Sequence, residues 1–211
     1  MRVIAIDGPA GAGKSTVARA LAARLGLQYL DTGAMYRAVT LAAMRRGIDP
    51  TDVDRVAELA EAVDLEVGER GVFVDGVEAT TDIRSREVTT AVSAVAANSR
   101  VRSELVDRQR SWARERGGGV LEGRDIGSVV FPDAELKLYL TASARVRAER
   151  RGAESGGDVD EIEASIAQRD RHDQSRTDGP LVEAAGAIVV DTTGLSIDQV
   201  LEQIEQLLER Q

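Results

Sequence analysis

Short β-branched or leucine-rich runs alternate along the chain with longer stretches whose apolar positions recur every three or four residues, the pattern of strands and helices that builds a parallel sheet. Val3-Ile4-Ala5-Ile6-Asp7 reads as a buried strand, and the helix that follows from Thr16 is ended by Gly26. Residues 27–31 read as a second strand, after which a helix opens at Thr32-Gly33 and runs toward Arg46-Gly47. A short amphipathic helix is predicted over 52–62. The period then changes to two: Leu65, Val67, Val72, Val74 and Val77 alternate with polar residues around Gly68-Glu69-Arg70-Gly71 and Asp75-Gly76, which predicts a hairpin or a three-stranded antiparallel sheet. Helices follow over 85–97 and 98–116, then strands over 118–122 and 135–140. An arginine-rich helix, a small polar tip over 152–158 and a returning helix over 160–176 precede a fifth strand at 187–191 and a closing helix capped by Ser196.

The expected fold is α/β: a doubly wound, five-stranded parallel sheet with a small antiparallel β insertion at about 63–79 and a helical lid at about 146–176. One domain is expected over 1–211, its core at about 1–62, 80–145 and 177–211.

Between the first strand and its helix lies Gly8-Pro9-Ala10-Gly11-Ala12-Gly13-Lys14-Ser15, which fills every fixed position of G-x-x-x-x-G-K-[ST]. Glycines allow the tight turn, so successive N–H groups at a helix N-terminus can cradle a polyphosphate, and the helix dipole adds to the attraction. On this reading residues Gly8 to Thr16 bind the donor phosphates, Lys14 reaches the β- and γ-phosphates, and the Ser15 hydroxyl ligates Mg²⁺. Such a loop is the mark of a P-loop nucleotide-binding fold.

The net charge of −9 argues against a nucleic-acid or anionic-membrane surface, though a mononucleotide needs only a local cluster of arginines. The chain has no cysteine, which excludes disulfides and thiolate metal sites. No apolar run reaches membrane-spanning length and no leader pattern precedes the first strand, so a cytoplasmic protein is expected. Lys14 and Lys137 are the two lysines among 27 basic residues, so an arginine at an arbitrary position reads first as a solvated helix face. Grouping has to carry each claim.

Three groups stand out. Asp31, Thr32 and Arg37 fall at the carboxyl end of the second strand, where open parallel sheets bind ligands, although Thr32 also suits a plain helix cap. Gly123-Arg124-Asp125-Ile126-Gly127 follows the third strand and reads either as a ligand-binding turn or as a local ion pair closing a loop. Arg145, Arg147, Arg150 and Arg151 crowd one lid arm, and Arg169, Asp173 and Arg176 are spaced to share a face of the other. His172 points off that face and is given no role, and the arginines of the helix over 98–116 read mostly as solvated or paired with Glu104, Asp107 and Glu115.

The P-loop, Leu30-Asp31-Thr32-Gly33-Ala34-Met35-Tyr36-Arg37, Glu122-Gly123-Arg124-Asp125-Ile126-Gly127 and Arg169-Asp170-Arg171-His172-Asp173-Gln174-Ser175-Arg176 with Pro180-Leu181 together resemble the bacterial cytidylate kinases. Glu122 stands where some members carry Asp, and Thr32 where others carry Ser. The resemblance implies transfer of the γ-phosphoryl group of ATP·Mg²⁺ to CMP or dCMP, and a monomer is expected. It implies that Thr32, Arg102 and Asp125 face the cytosine, that Arg37, Arg124 and Arg169 approach the acceptor phosphate, and that Asp173 and Arg176 contact sugar or base. Asp31 is placed with these acceptor residues. Lys14, Arg124, Arg150 and Arg151 take catalytic roles, and Arg147 joins the donor site. A carboxylate beside an arginine donor suits the N4 amine, N3 and O2 of cytosine, while uracil reverses that edge. Kinases of UMP, shikimate or gluconate are the rival enzymes. A GTPase-like switch is the rival of another class, but Asn98 is the only asparagine and no N-K-x-D motif exists.

Overall fold

The computed structural model describes residues 1–68 and 70–209; Glu69, expected in the first turn of the antiparallel piece, and Arg210 and Gln211 lie outside them. In chain order the elements are β1 (Arg2–Asp7), α1 (Lys14–Leu25), β2 (Tyr29–Asp31), α2 (Thr32–Arg45), α3 (Val53–Ala62), β3 (Leu65–Gly68), β4 (Gly71–Val74), β5 (Val77–Glu78), α4 (Arg86–Ala97) and α5 (Ser99–Glu115). Then come β6 (Gly118–Glu122), β7 (Leu136–Thr141), α6 (Ala144–Ser155), α7 (Val159–Gln174), β8 (Ile188–Asp191) and α8 (Ile197–Leu208). A 3₁₀ turn at Asp82–Arg84 and a wider π-type turn at Ile126–Val130 complete the set. The chain forms two compact units, Met1–Tyr29 with Arg116–Gln211, and Leu30–Glu115.

The first unit is built on a five-stranded sheet of order β2-β6-β1-β7-β8, the chain leaving it within β2. β1 pairs in parallel with both β6 and β7, and β8 in parallel with β7. Central position explains composition: Ile4 and Ile6 on one face and Val3 and Ala5 on the other are all buried. The Ile4 and Ile6 face packs with Val17 and Leu21 of α1, Leu138 and Leu140 of β7, and Val200, Leu201 and Ile204 of α8. Ser196 and Gln199 close α8 at its start with a reciprocal capping box. This order puts the ends of β1 and β6 side by side at the point where the chain switches direction across the sheet, the place where open α/β sheets take ligands.

The second unit holds α2 to α5 and the antiparallel sheet β3-β4-β5. The period-two stretch is therefore three-stranded, with Leu65 opposite Val74 and Phe73 opposite Glu78. Arg108 of the basic helix α5 meets Glu104 as the spacing predicts. It also donates to the carbonyls of Ala60 and Val63, filling the orphan acceptors at the end of α3.

Several boundaries move for local reasons. Leu27 belongs to the end of α1, not to the second strand: Gly26 takes a left-handed conformation and Leu27 N–H donates to Ala22 O. Thr32 is not a cap, because Asp31 accepts from Ala34 N and Thr32 is the first helical residue. Asn98 precedes α5 and does not open it, its side chain accepting from Arg100 N and Val101 N. The returning arm ends at Gln174, which leaves Arg176 just beyond it.

Gly8 is where this architecture is least forgiving. Its φ is +147°, and a Cβ there would lie 2.0 Å from the carbonyl oxygen of Leu140. Gly8→Ala is expected to cost about 3 kcal/mol from overpacking plus backbone strain. In calorimetry of the ligand-free chain this is a drop in Tm of roughly 6–12 °C. A Tm within about 2 °C of the parent would show that β7 does not press on this position.

Candidate functional site

The loop between β1 and α1 is held from three sides within the first unit. Gly11, at φ +77°, lies so close to α6 that a Cβ would stand 2.9 Å from Arg147 O. Asp170 of α7 accepts from Ala10 N at 3.0 Å and pairs with Arg147, while Arg147 donates to Ala10 O at 2.9 Å and Ala142 O at 3.1 Å. Thr192, just past β8, sits under the loop with its hydroxyl near Ala12 O and Thr141 O. It accepts from Arg150 twice, through its hydroxyl at 2.9 Å and its carbonyl at 2.8 Å.

At the end of β1, Asp7 is buried and accepts from Ile126 N and Gly127 N, both at 2.8 Å. Burial pushes its carboxyl up to about 6, against the two amide hydrogen bonds that favour the charged form. Lys14 is buried as well, and donates to Pro9 O at 2.8 Å. Burial brings its ammonium down to about 7, and the charge of Arg124 adds to the shift. A group in that state regains its charge when an anion arrives.

Next to it the sheet end gathers guanidinium groups on one carboxylate. Arg124 donates to Asp173 at 2.9 Å, Arg176 pairs with the other oxygen, and Arg169 Nε lies 4.0 Å away. Asp173 is wholly buried. Burial alone would raise its pKa, but Arg124, Arg176 and Arg169 together hold it below the ordinary carboxylate range. Arg169 Nε is buried with no hydrogen-bond partner. Burial, then the neighbouring Arg124, lower this guanidinium to about 10, so it stays charged at neutral pH. Three cations around one anion leave surplus positive charge, an arrangement suited to an anionic group such as a phosphate.

The structure thus brings Lys14, Arg124, Arg169, Asp173 and Arg176 into one charge cluster and sets Arg147 and Arg150 against the P-loop. Arg151 lies along its own helix, paired with Glu154. Asp125 is buried at the start of the π-type turn, where its carbonyl receives Val129 N and Val130 N. In the second unit Thr32, Arg37 and Arg102 are buried. Arg37 donates to Ile83 O and to Thr89 Oγ1 at 2.8 Å, and Arg102 reaches the hydroxyl of Tyr36 and lies over its ring. Asp31 caps α2 and pairs with Arg84. Motif reading passed over Asp7, Asp170 and Thr192. Each had a weak signal: Asp7 directly precedes the motif, Asp170 adjoins Arg169, and Thr192 lies in the Asp191-Thr192-Thr193-Gly194 stretch at a strand end.

Among the described residues no group of three or more His, Asp or Glu side chains could hold a metal ion. Ser15, a half-buried residue in the first turn of α1, carries a hydroxyl, a hard oxygen donor of the kind magnesium accepts. These donors fit a magnesium ion that arrives on the phosphates and takes one protein oxygen.

A P-loop between the central strand and its helix, with arginines converging from the turn after β6 and from the α6–α7 arm, defines a P-loop kinase, a phosphotransferase. Shikimate kinase from Acinetobacter baumannii, solved with shikimate, shares this fold at a TM-score of 0.53 over 100% of this chain and 94% of that one, with 15% sequence identity. The chain belongs to the cytidylate kinase family, whose family model matches residues 4–210. The cytidylate kinase of Limosilactobacillus fermentum is 49% identical over 98% of this chain and 95% of its own length. A bifunctional pantoate ligase/cytidylate kinase of a Synechococcus strain is 52% identical over 99% of this chain, which spans 41% of that longer protein.

The state of Lys14 has a measurable consequence. At pH 7.5 an ammonium lowered to about 7 is mostly neutral, and a bound polyphosphate restores its charge, so binding takes up most of a proton. Calorimetric titration with tripolyphosphate in buffers of different ionisation heat should reveal this uptake. It should vanish in Lys14→Arg, whose guanidinium is always charged. Uptake unchanged in that variant would place the proton elsewhere.

Proposed function

We propose that the chain transfers the γ-phosphoryl group of ATP to CMP or dCMP, giving ADP and the nucleoside diphosphate. The observation that carries this reading is the cluster in which Arg124, Arg169 and Arg176 surround Asp173 while the charges of Arg124 and Arg169 act on Lys14. Donor-facing and acceptor-facing cations share one field. Phosphoryl transfer asks the protein for little covalent chemistry, so alignment and neutralisation of charge carry the rate.

The residues from Gly8 to Thr16 bind the donor phosphates, and Lys14 faces the transferring group. Magnesium, held through Ser15 when bound with the nucleotide, supplies further neutralisation of the phosphate oxygens. Arg150 and Arg151 contribute positive charge from the arm over the loop, and Arg147 belongs to the same donor half. On the acceptor side Arg124 and Arg169 take the phosphate, while Asp173 and Arg176 take the sugar or base. Asp125 accepts from the cytosine N4 amine. For the second unit, chemistry and the family resemblance support Thr32 and Arg102 as base-facing groups, and Arg37 as a phosphate ligand with Asp31 near it. The acceptor phosphate is largely ionised near neutral pH, so no strong general base is required. We take residues 146–176 as a lid whose closure excludes water and suppresses hydrolysis of ATP. A monomer in the cytoplasm fits this role. Among the described residues no helix is long and apolar enough to cross a membrane.

Turnover compared across CMP, dCMP, UMP and AMP tests the acceptor. CMP and dCMP are expected to lead, and preference for UMP overturns the cytosine assignment. Lys14→Ala should reduce kcat about 10³-fold. Asp125→Ala leaves the N4 amine unanswered at about 1–3 kcal/mol, so kcat/KM for CMP should fall roughly 5- to 150-fold and the gap to UMP should narrow. Unchanged CMP kinetics would remove Asp125 from the site.

A further inference from the structure

Asp170 has no part in the roles assigned above, yet it links the returning arm directly to the phosphate loop. One carboxylate oxygen accepts from Ala10 N at 3.0 Å, and the other pairs with Arg147, whose guanidinium holds Ala10 O at 2.9 Å. Both polar groups of one loop residue are therefore gripped by an ion pair that joins α7 to α6. The pair is mostly buried, with side-chain exposures of 12% for Arg147 and 11% for Asp170. A third donor of Arg147 is spent on Ala142 O, just beyond β7. Arg147 also backs Gly11, where added bulk would strike its main chain.

A buried ion pair is a costly way to gain stability, and it serves better where it fixes one geometry. We propose that Asp170 is a positioning residue for the donor half: through Arg147 and Ala10 it holds the outer limb of the phosphate loop in its binding shape. Arg147 then acts on the donor through the loop backbone, and the clasp couples the α6–α7 arm to donor affinity. The acceptor cluster is built on a different carboxylate, Asp173, one turn further along the same helix, so the two contacts are separable by mutation. This rests on the reading of the loop as the ATP site.

The test uses the full chain with Asp170→Ala, Asp170→Asn, Arg147→Met and the double variant Asp170→Ala/Arg147→Met. Affinity for ATP without acceptor, for tripolyphosphate, and for CMP without ATP is measured for each, followed by KM for both substrates. Asp170→Ala should weaken ATP and tripolyphosphate about 10-fold, in line with loss of a charge-assisted contact, and leave CMP within about twofold. Asp170→Asn keeps an oxygen for Ala10 N and should lie between, which decides the matter if the alanine variant does not fold. The double variant should bind ATP no worse than the weaker single variant. Unchanged ATP affinity, or an equal loss for CMP, overturns the proposal. A parent chain that binds tripolyphosphate and ATP but not CMP sinks the acceptor assignment and leaves this comparison intact.

Discussion

One buried carboxylate ties the working parts of the first unit together. Asp7 ends β1, immediately before the phosphate loop, and its two oxygens receive the amides of Ile126 and Gly127 beyond β6. The loop's point of departure and the turn that carries Arg124 and Asp125 are thereby fixed to the same atoms. No flexible linkage intervenes: β1 and β6 are paired along five residues, so the carboxylate extends a rigid register into two adjacent loops. The burial that makes this contact firm also pushes the Asp7 pKa up to about 6. The amides answer that tendency by favouring the charged form.

Around this anchor the chain faces a problem of like charge. Arg124, Arg169 and Arg176 repel one another in a poorly hydrated place, and the chain supplies a counter-anion in Asp173 where they meet. Arg147 and Asp170 repeat the device next to the loop. A net charge of −9 is consistent with a strongly cationic site once acids are seen placed among the arginines as well as on the surface.

The alternation of elements, the P-loop and the three-stranded piece were legible because each is written in local spacing, and the sheet places their ends as parallel topology requires. The pairing of Arg169 with Asp173 was legible for the same reason, since a helix turns four-residue spacing into one face, whereas Arg176 reaches Asp173 from just past the helix end. What stayed hidden depends on partners distant in sequence. Arg150 stood in a row of four similar arginines, and only the tertiary fold shows that it leans on Thr192, 42 residues later. Asp170 was overlooked beside Arg169 because adjacent residues on a helix point different ways, so the side that meets Ala10, 160 residues earlier, has no mark in spacing. Asp31 and Thr32 show the finest limit: either could cap α2 by type, and the main-chain geometry of the strand end decides for Asp31.

The choice of arginine over lysine in the cluster follows from the same desolvation. Burial brings Lys14 down to about 7 and Arg169 to about 10. A lysine at position 169 would begin from a lower intrinsic value and, under equal burial, would hold its charge by a narrower margin than the guanidinium does. Lys14 differs in lying at the start of α1, where helix N-terminal amides favour anions and an anion would favour the charged form of the ammonium. The cluster thus joins guanidinium groups that hold their charge at neutral pH to one ammonium that burial has brought close to its titration point.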